Sequence, residues 1–199
     1  MADDKRGREE QARDADRRQR QRDIAAELER SAETEPPVET EELDDFEREL
    51  GALAFPTTGA EVVTAVGERP IDAGDERYTV GELVPETEQE VFDTPAAVRV
   101  RIQRPSVAGA MKRVVEAVAS IPNTELGTSQ REAYEKTFRE LEAIDADDED
   151  EGIRVVADWL VDRIREDETV PGSRSVRRQA AEFCRANGYE VRNDEWLGV

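Results

Sequence analysis

Residues 105–119 read PSVAGAMKRVVEAVA, and their larger apolar side chains, Val107, Met111, Val114 and Val118, recur at spacings of four, three and four. That period winds all four onto one face of a helix of 3.6 residues per turn, with the charged positions on the other side. The segment decides the fold class because similar stripes follow it. Tyr134, Phe138 and Leu141 come after a Ser129/Glu132 capping box. Ile153, Val156, Leu160 and Ile164 form the next stripe, with Trp159 beside them, and Val176, Ala180 and Phe183 the last, on a helix expected from about Ser175. Breakers fall between the stripes: Ile121-Pro122-Asn123, the acidic run 145–151, Pro171-Gly172 and Asn187-Gly188. A helical module is therefore expected over 106–199, with a short strand at Tyr189–Val191 and an apolar hook at Trp196-Leu197.

Ahead of Pro105 the pattern shortens and mixes. Thr94-Pro95 offers an N-cap and a first-turn proline for a helix that stops or bends at Pro105, and Gln89–Phe92 reads as a brief strand. Thr79 and Glu82, and again Thr58 and Glu61, are capping boxes; the second opens a helix through Val62, Val63 and Val66, closed by Gly67. Alternation around Ile71 and Tyr78, with Gly74-Asp75 between, predicts a small hairpin. Leu43, Phe46, Leu50 and Leu53 share one face of an acidic helix expected to end at Phe55-Pro56. These pieces predict a small α+β module over 41–104, so the whole is a mainly α chain. Residues 1–40 differ again. The first thirty carry nine basic and nine acidic side chains with Ile24 and Leu28 as the sizeable apolar ones, which predicts a charged helix or a disordered arm, followed by a linker at Pro36-Pro37.

Composition bounds the function. The 199 residues carry 49 Asp plus Glu against 28 Lys plus Arg, a formal charge of -21, and of the 28 basic residues only Lys5, Lys112 and Lys136 are lysine. Such a chain repels itself in dilute buffer. At molar ionic strength the Debye length falls to about 3 Å and the repulsion is screened, so the composition points to a salt-adapted, haloarchaeal protein. A wholly disordered acidic chain is the competing reading of the same numbers, and the regular helical stripes after residue 40 argue against it. The charged start leads into no apolar signal region and no apolar run reaches bilayer length, so the expected location is the cytoplasm, with no membrane partner.

The chemistry available is narrow. With no histidine, His-dependent triads and the commonest transition-metal ligand are absent, and no phosphate-loop or dinucleotide fingerprint occurs. Carboxylates are too numerous for any pair to stand out. The run Asp145 to Gly152 is the best metal candidate, yet Asp150 stands where an EF-hand needs its glycine and Val156 where it needs its bidentate Glu, so a hydrated acidic loop is expected. Cys184 has no cysteine to pair with; beside Phe183 it reads as a buried thiol, the alternative being a thiolate assisted by Arg185. No catalytic residue, metal site or cofactor is expected.

One segment departs in charge. Between Ser173 and Arg192, Arg174, Arg177, Arg178, Arg185 and Arg192 face only Glu182 and Glu190. Two roles compete: phosphate or nucleic-acid contact, with the last two helices forming a helix-turn-helix, or internal pairing with the acidic loop and helices. Internal pairing is the preferred expectation, because counterion release adds little affinity in molar salt.

Between residues 53 and 104, Phe55-Pro56-Thr57-Thr58, Glu61-Val62-Val63, Gly67-Glu68, Ile71, Thr79 to Leu83 and Phe92-Asp93-Thr94 resemble a small haloarchaeal domain of unknown function. The resemblance implies a short aromatic-Pro-x-Thr helix start and a hairpin, and brings no activity or site residues with it. The functional expectation is a non-catalytic interaction or regulatory protein that meets an unidentified protein partner through Val-rich helix faces and the charged N-terminal helix. The alternative is a nucleic-acid-binding regulator using the C-terminal arginines.

Overall fold

The computed structural model describes residues 35–144 and 150–189. Its elements are α1 (Thr40–Leu50), β1 (Thr57–Thr58), α2 (Gly59–Val66), β2 (Pro70–Ala73), β3 (Glu76–Thr79), α3 (Val80–Leu83), β4 (Val91–Phe92), α4 (Pro95–Ile102), α5 (Pro105–Ala119), α6 (Thr128–Ile144), α7 (Glu151–Asp167) and α8 (Ser173–Ala186). The protein is mainly α with a small α+β part, as the periodicities require. The charged segment 1–34, most of the acidic run, the expected strand beyond Tyr189 and the Trp196-Leu197 hook lie outside the described residues.

Local rules explain most boundaries. Thr58 and Thr79 each complete a capping box, with Glu61 and Glu82 reaching back to the cap residue's backbone N–H. Thr94 accepts from Ala97 N–H, and Pro95 starts α4. β2 and β3 pair antiparallel with Ile71 opposite Tyr78, and Gly74 takes the left-handed turn at φ 61° that a side chain would resist. β1 pairs with β4 through Thr57–Phe92 and Thr58–Val91. Gly59 sits at this crossing for a different reason: a Cβ there would lie 2.1 Å from the Pro85 carbonyl oxygen.

Three boundaries depart from the sequence expectation. α1 ends at Leu50 with its cap on Gly51, well ahead of Phe55-Pro56, because Leu43, Phe46 and Leu50 already bury its apolar face. α6 starts at Thr128, so Ser129 lies inside the first turn instead of capping it. α8 starts at Ser173, two residues early, and stops where expected, with Gly188 at φ 77°. Val38, in the stretch read as a linker, is buried and bridges Ala73 beside the hairpin.

Two apolar clusters hold these elements. Val38, Phe46, Leu50, Ile71, Leu83 and Ile102 anchor the first, and Met111, Tyr134, Phe138, Leu141, Leu160 and Ile164 the second. They meet on α5, where Val107 faces the helical cluster and its neighbour Ala108 the other. Each large side chain among them is almost wholly removed from water, which stabilises the fold by about 1.5–3 kcal/mol per residue before chain entropy is counted.

Candidate functional site

The arginines divide into two groups. From Arg48 to Arg139 every described arginine acts on a carboxylate of the same chain. Arg69 bridges Glu42 at 2.9 Å and Glu49 at 2.7 Å while its guanidinium lies 5.2 Å from the Phe46 ring centroid. Arg99 reaches from α4 to Asp44 at 2.8 Å and Glu47 at 3.0 Å on α1. Arg104 pairs with Glu142, and Arg139 also acts electrostatically on that carboxylate.

The deepest pairs surround Glu90, whose residue is 4% exposed just before β4. Arg131 of α6 donates two hydrogen bonds to its two oxygens, and Arg101 of α4 approaches at 3.4 Å while pairing with Glu135. Two guanidinium groups and two carboxylates thus neutralise one another between the α+β part and α6. Burial, with Arg131 as a like-charged neighbour, lowers the Arg101 pKa to about 10, against the pull of Glu90; the group stays cationic at neutral pH. On the same α4–α6 side, burial raises the Glu142 pKa against the opposing field of Arg104.

α8 is fixed by other contacts. Tyr134 of α6 donates its hydroxyl to the Pro171 carbonyl, and the Gln130 amide donates to both, so the turn before α8 is tied to α6. Burial pushes the Tyr134 phenol up to about 12, which keeps it a donor at any physiological pH. Val176, Ala180, Ala181, Phe183 and Cys184 then face inward, and Tyr189 stacks on Phe183 with ring centroids 6.3 Å apart. Cys184 is buried, which suits the expected role as a small apolar side chain.

The opposite face of α8 carries the sequence-selected arginines. Arg174, Arg178 and Arg185 are exposed, lie along one stripe with Glu182, and make no side-chain hydrogen bond or ion pair with the other described residues. Arg177 is partly covered, and its Nε is buried without an acceptor. α8 turns Arg174, Arg178 and Arg185 outward because its apolar positions claim the inner face, and among the described residues they meet no carboxylate; most of the acidic loop expected to pair with them lies outside the described residues. Arg192 lies outside the described residues, as do Asp145 to Glu149. Asp150 is placed at the start of α7 with φ 55° and accepts from Ser106 Oγ–H. Among the described residues no group of three or more acidic or thiol side chains is set to hold a metal ion, and no helix is long and apolar enough to cross a membrane.

Sequence reasoning missed the Glu90 network. Arg131 lies 41 positions from Glu90, and no local spacing announces such a pair. A polar residue inside an expected strand, between Gln89 and Val91, was the available signal.

Against known proteins, the model of a family of unknown function, DUF5789, matches residues 37–114. The match runs from the buried Val38 into α5 and contains the segment 53–104 whose motifs resemble a domain of unknown function. No curated protein and no solved structure matches the chain.

Proposed function

We propose that the protein is a non-catalytic interaction protein of a salt-adapted cytoplasm, and that an acidic surface of a partner protein docks on the outer face of α8. One observation carries this reading: Arg174, Arg178 and Arg185 stand exposed and, among the described residues, unpaired, in a chain whose arginines from Arg48 to Arg139 are engaged. In molar salt attraction beyond about 3 Å is screened. What survives is direct contact, and the planar guanidinium fork is the side chain best shaped for two-point contact with a carboxylate. The reading of no catalysis rests on the histidine-free sequence and on the absence of a nucleotide-binding fingerprint.

Nucleic acid is the second reading, favoured by the same unpaired guanidinium groups. It is placed second on magnitude. Affinity from phosphate contacts falls with a log–log salt slope of roughly -0.9 per phosphate neutralised, so three contacts lose nearly three decades for each tenfold rise in salt.

The test is crosslinking from cells in molar KCl, comparing the protein with an Arg174→Ala/Arg178→Ala/Arg185→Ala variant. The expected product is a crosslink from α8 to an Asp- and Glu-rich protein surface, insensitive to nuclease and absent in the variant. Nuclease-sensitive adducts select nucleic acid instead, and adducts unchanged in the variant overturn the α8 face altogether.

A further inference from the structure

A cleft of about 300 Å³ opens between β3, α3 and the α5–α7 pair, away from the outer face of α8. That volume lies at the lower end of the roughly 300–1,000 Å³ of small-molecule clefts. Its floor is apolar: Leu83, Ala110, Ile153 and Ala157 are all buried. Room above the floor comes from Gly109 on α5, where an added Cβ would meet nothing closer than the Glu82 carbonyl oxygen at 3.8 Å.

The rim is polar and carries both charges. Tyr78 donates its hydroxyl to Glu76, and Ser106 donates to Asp150, so two carboxylates are held in fixed orientations with acceptor capacity left over. Burial, with Glu76 and Asp150 as negative neighbours, raises the Tyr78 phenol to about 12, so this hydroxyl remains a donor to Glu76. Two other charges of the rim are already occupied: Glu82 closes its capping box on Thr79, and Arg113 pairs with Asp158. Arg154, exposed on the α7 side, has no side-chain acceptor among the described residues. The open positions therefore ask for a donor-rich cation at the carboxylates, an anion at Arg154 and a short apolar body between.

We propose that this cleft binds a small zwitterion of the amino-acid class, its ammonium on Glu76 and Asp150, its carboxylate on Arg154 and its side chain on the Leu83–Ala110–Ile153 floor. The binding goes beyond the interaction role of α8 and uses none of its residues.

Thermal unfolding of the full chain in molar KCl tests it, with L-leucine, leucinamide and 4-methylpentanoate as probes. Leucine should raise the midpoint with concentration, as a ligand of the native state must, and each singly charged analogue should bind about tenfold more weakly or less. Arg154→Gln, at an exposed position, should remove the advantage of leucine over leucinamide. Gly109→Leu, which fills the cleft from within a helix, should abolish all three responses. The α8 triple variant should keep the leucine response, so failure here is separable from failure of the docking face. No midpoint shift with leucine up to its solubility limit, or an equal shift in Gly109→Leu and Arg154→Gln, overturns the proposal.

Discussion

Arg131 and Arg178 are the same residue on neighbouring parts of one helical unit, and their surroundings are opposite. Arg131 lies against a carboxylate that is 4% exposed and forms part of a neutral cluster between α4, α6 and the start of β4. Arg178 is exposed on α8 with no partner among the described residues. Arginine in this chain thus has two physical uses. Where burial removes water, each cation must have its anion at hand, since an uncompensated buried charge costs several kcal/mol. On α8 the apolar side chains hold the helix, and its arginines are free to act on something else.

The buried side of this comparison breaks most visibly at Glu90. Glu90→Gln leaves Arg101 and Arg131 facing each other with one carboxylate fewer, and about 3–5 kcal/mol of stability should disappear, measured by urea denaturation in molar KCl. Loss of less than 1 kcal/mol would mean that water already reaches the cluster. Thr58→Ala, which removes a cap without touching any charge cluster, should cost about 1 kcal/mol by the same measurement. A double-mutant cycle on Glu47 and Arg99, a half-exposed pair 3.0 Å apart, should return only about 0.2–1 kcal/mol, sharpening the contrast between partly wet and dry pairs.

Acid supplies the smallest and most local probe. Hydrogen bonds from Thr58 and Thr57 hold Glu61 below its ordinary 4.5, and Arg77 holds Asp72 below 3.8. Both groups favour the folded chain once ionised, so their contribution is present above those unfolded values and is lost as pH falls through the lower folded ones. Glu142, raised by burial, runs the other way: it favours folding less as pH rises past 4.5. Two-dimensional NMR titration of the carboxyl carbons should place Glu61 and Asp72 below, and Glu142 above, the exposed glutamates.

Much of the fold was legible because short-range rules settle it. The stripes Val107–Met111–Val114–Val118 and Ile153–Val156–Leu160–Ile164 became buried helix faces. The two Thr-x-x-Glu boxes and the Gly74 turn formed as read. Errors arose where the deciding contact is distant. The pairing of Glu90 with Arg131 depends on the juxtaposition of two segments that no periodicity relates. The arginines of α8 were identifiable by their local excess of charge. Their outward direction follows from the stripe Val176, Ala180 and Phe183, but what they meet was not legible, because that depends on segments distant in the chain. The cleft was invisible for the same reason, being assembled from β3, α3, α5 and α7.

The most direct trial sets the two groups of arginines side by side. Urea denaturation in molar KCl compares Arg131→Gln with the triple variant Arg174→Gln/Arg178→Gln/Arg185→Gln. The expected result is a loss of about 3 kcal/mol or more for the single substitution at the buried cluster, and a change within about 0.5 kcal/mol per substitution for the three on α8. A triple variant that loses as much stability as Arg131→Gln would show that the α8 arginines hold the fold, and would contradict their assignment to a partner.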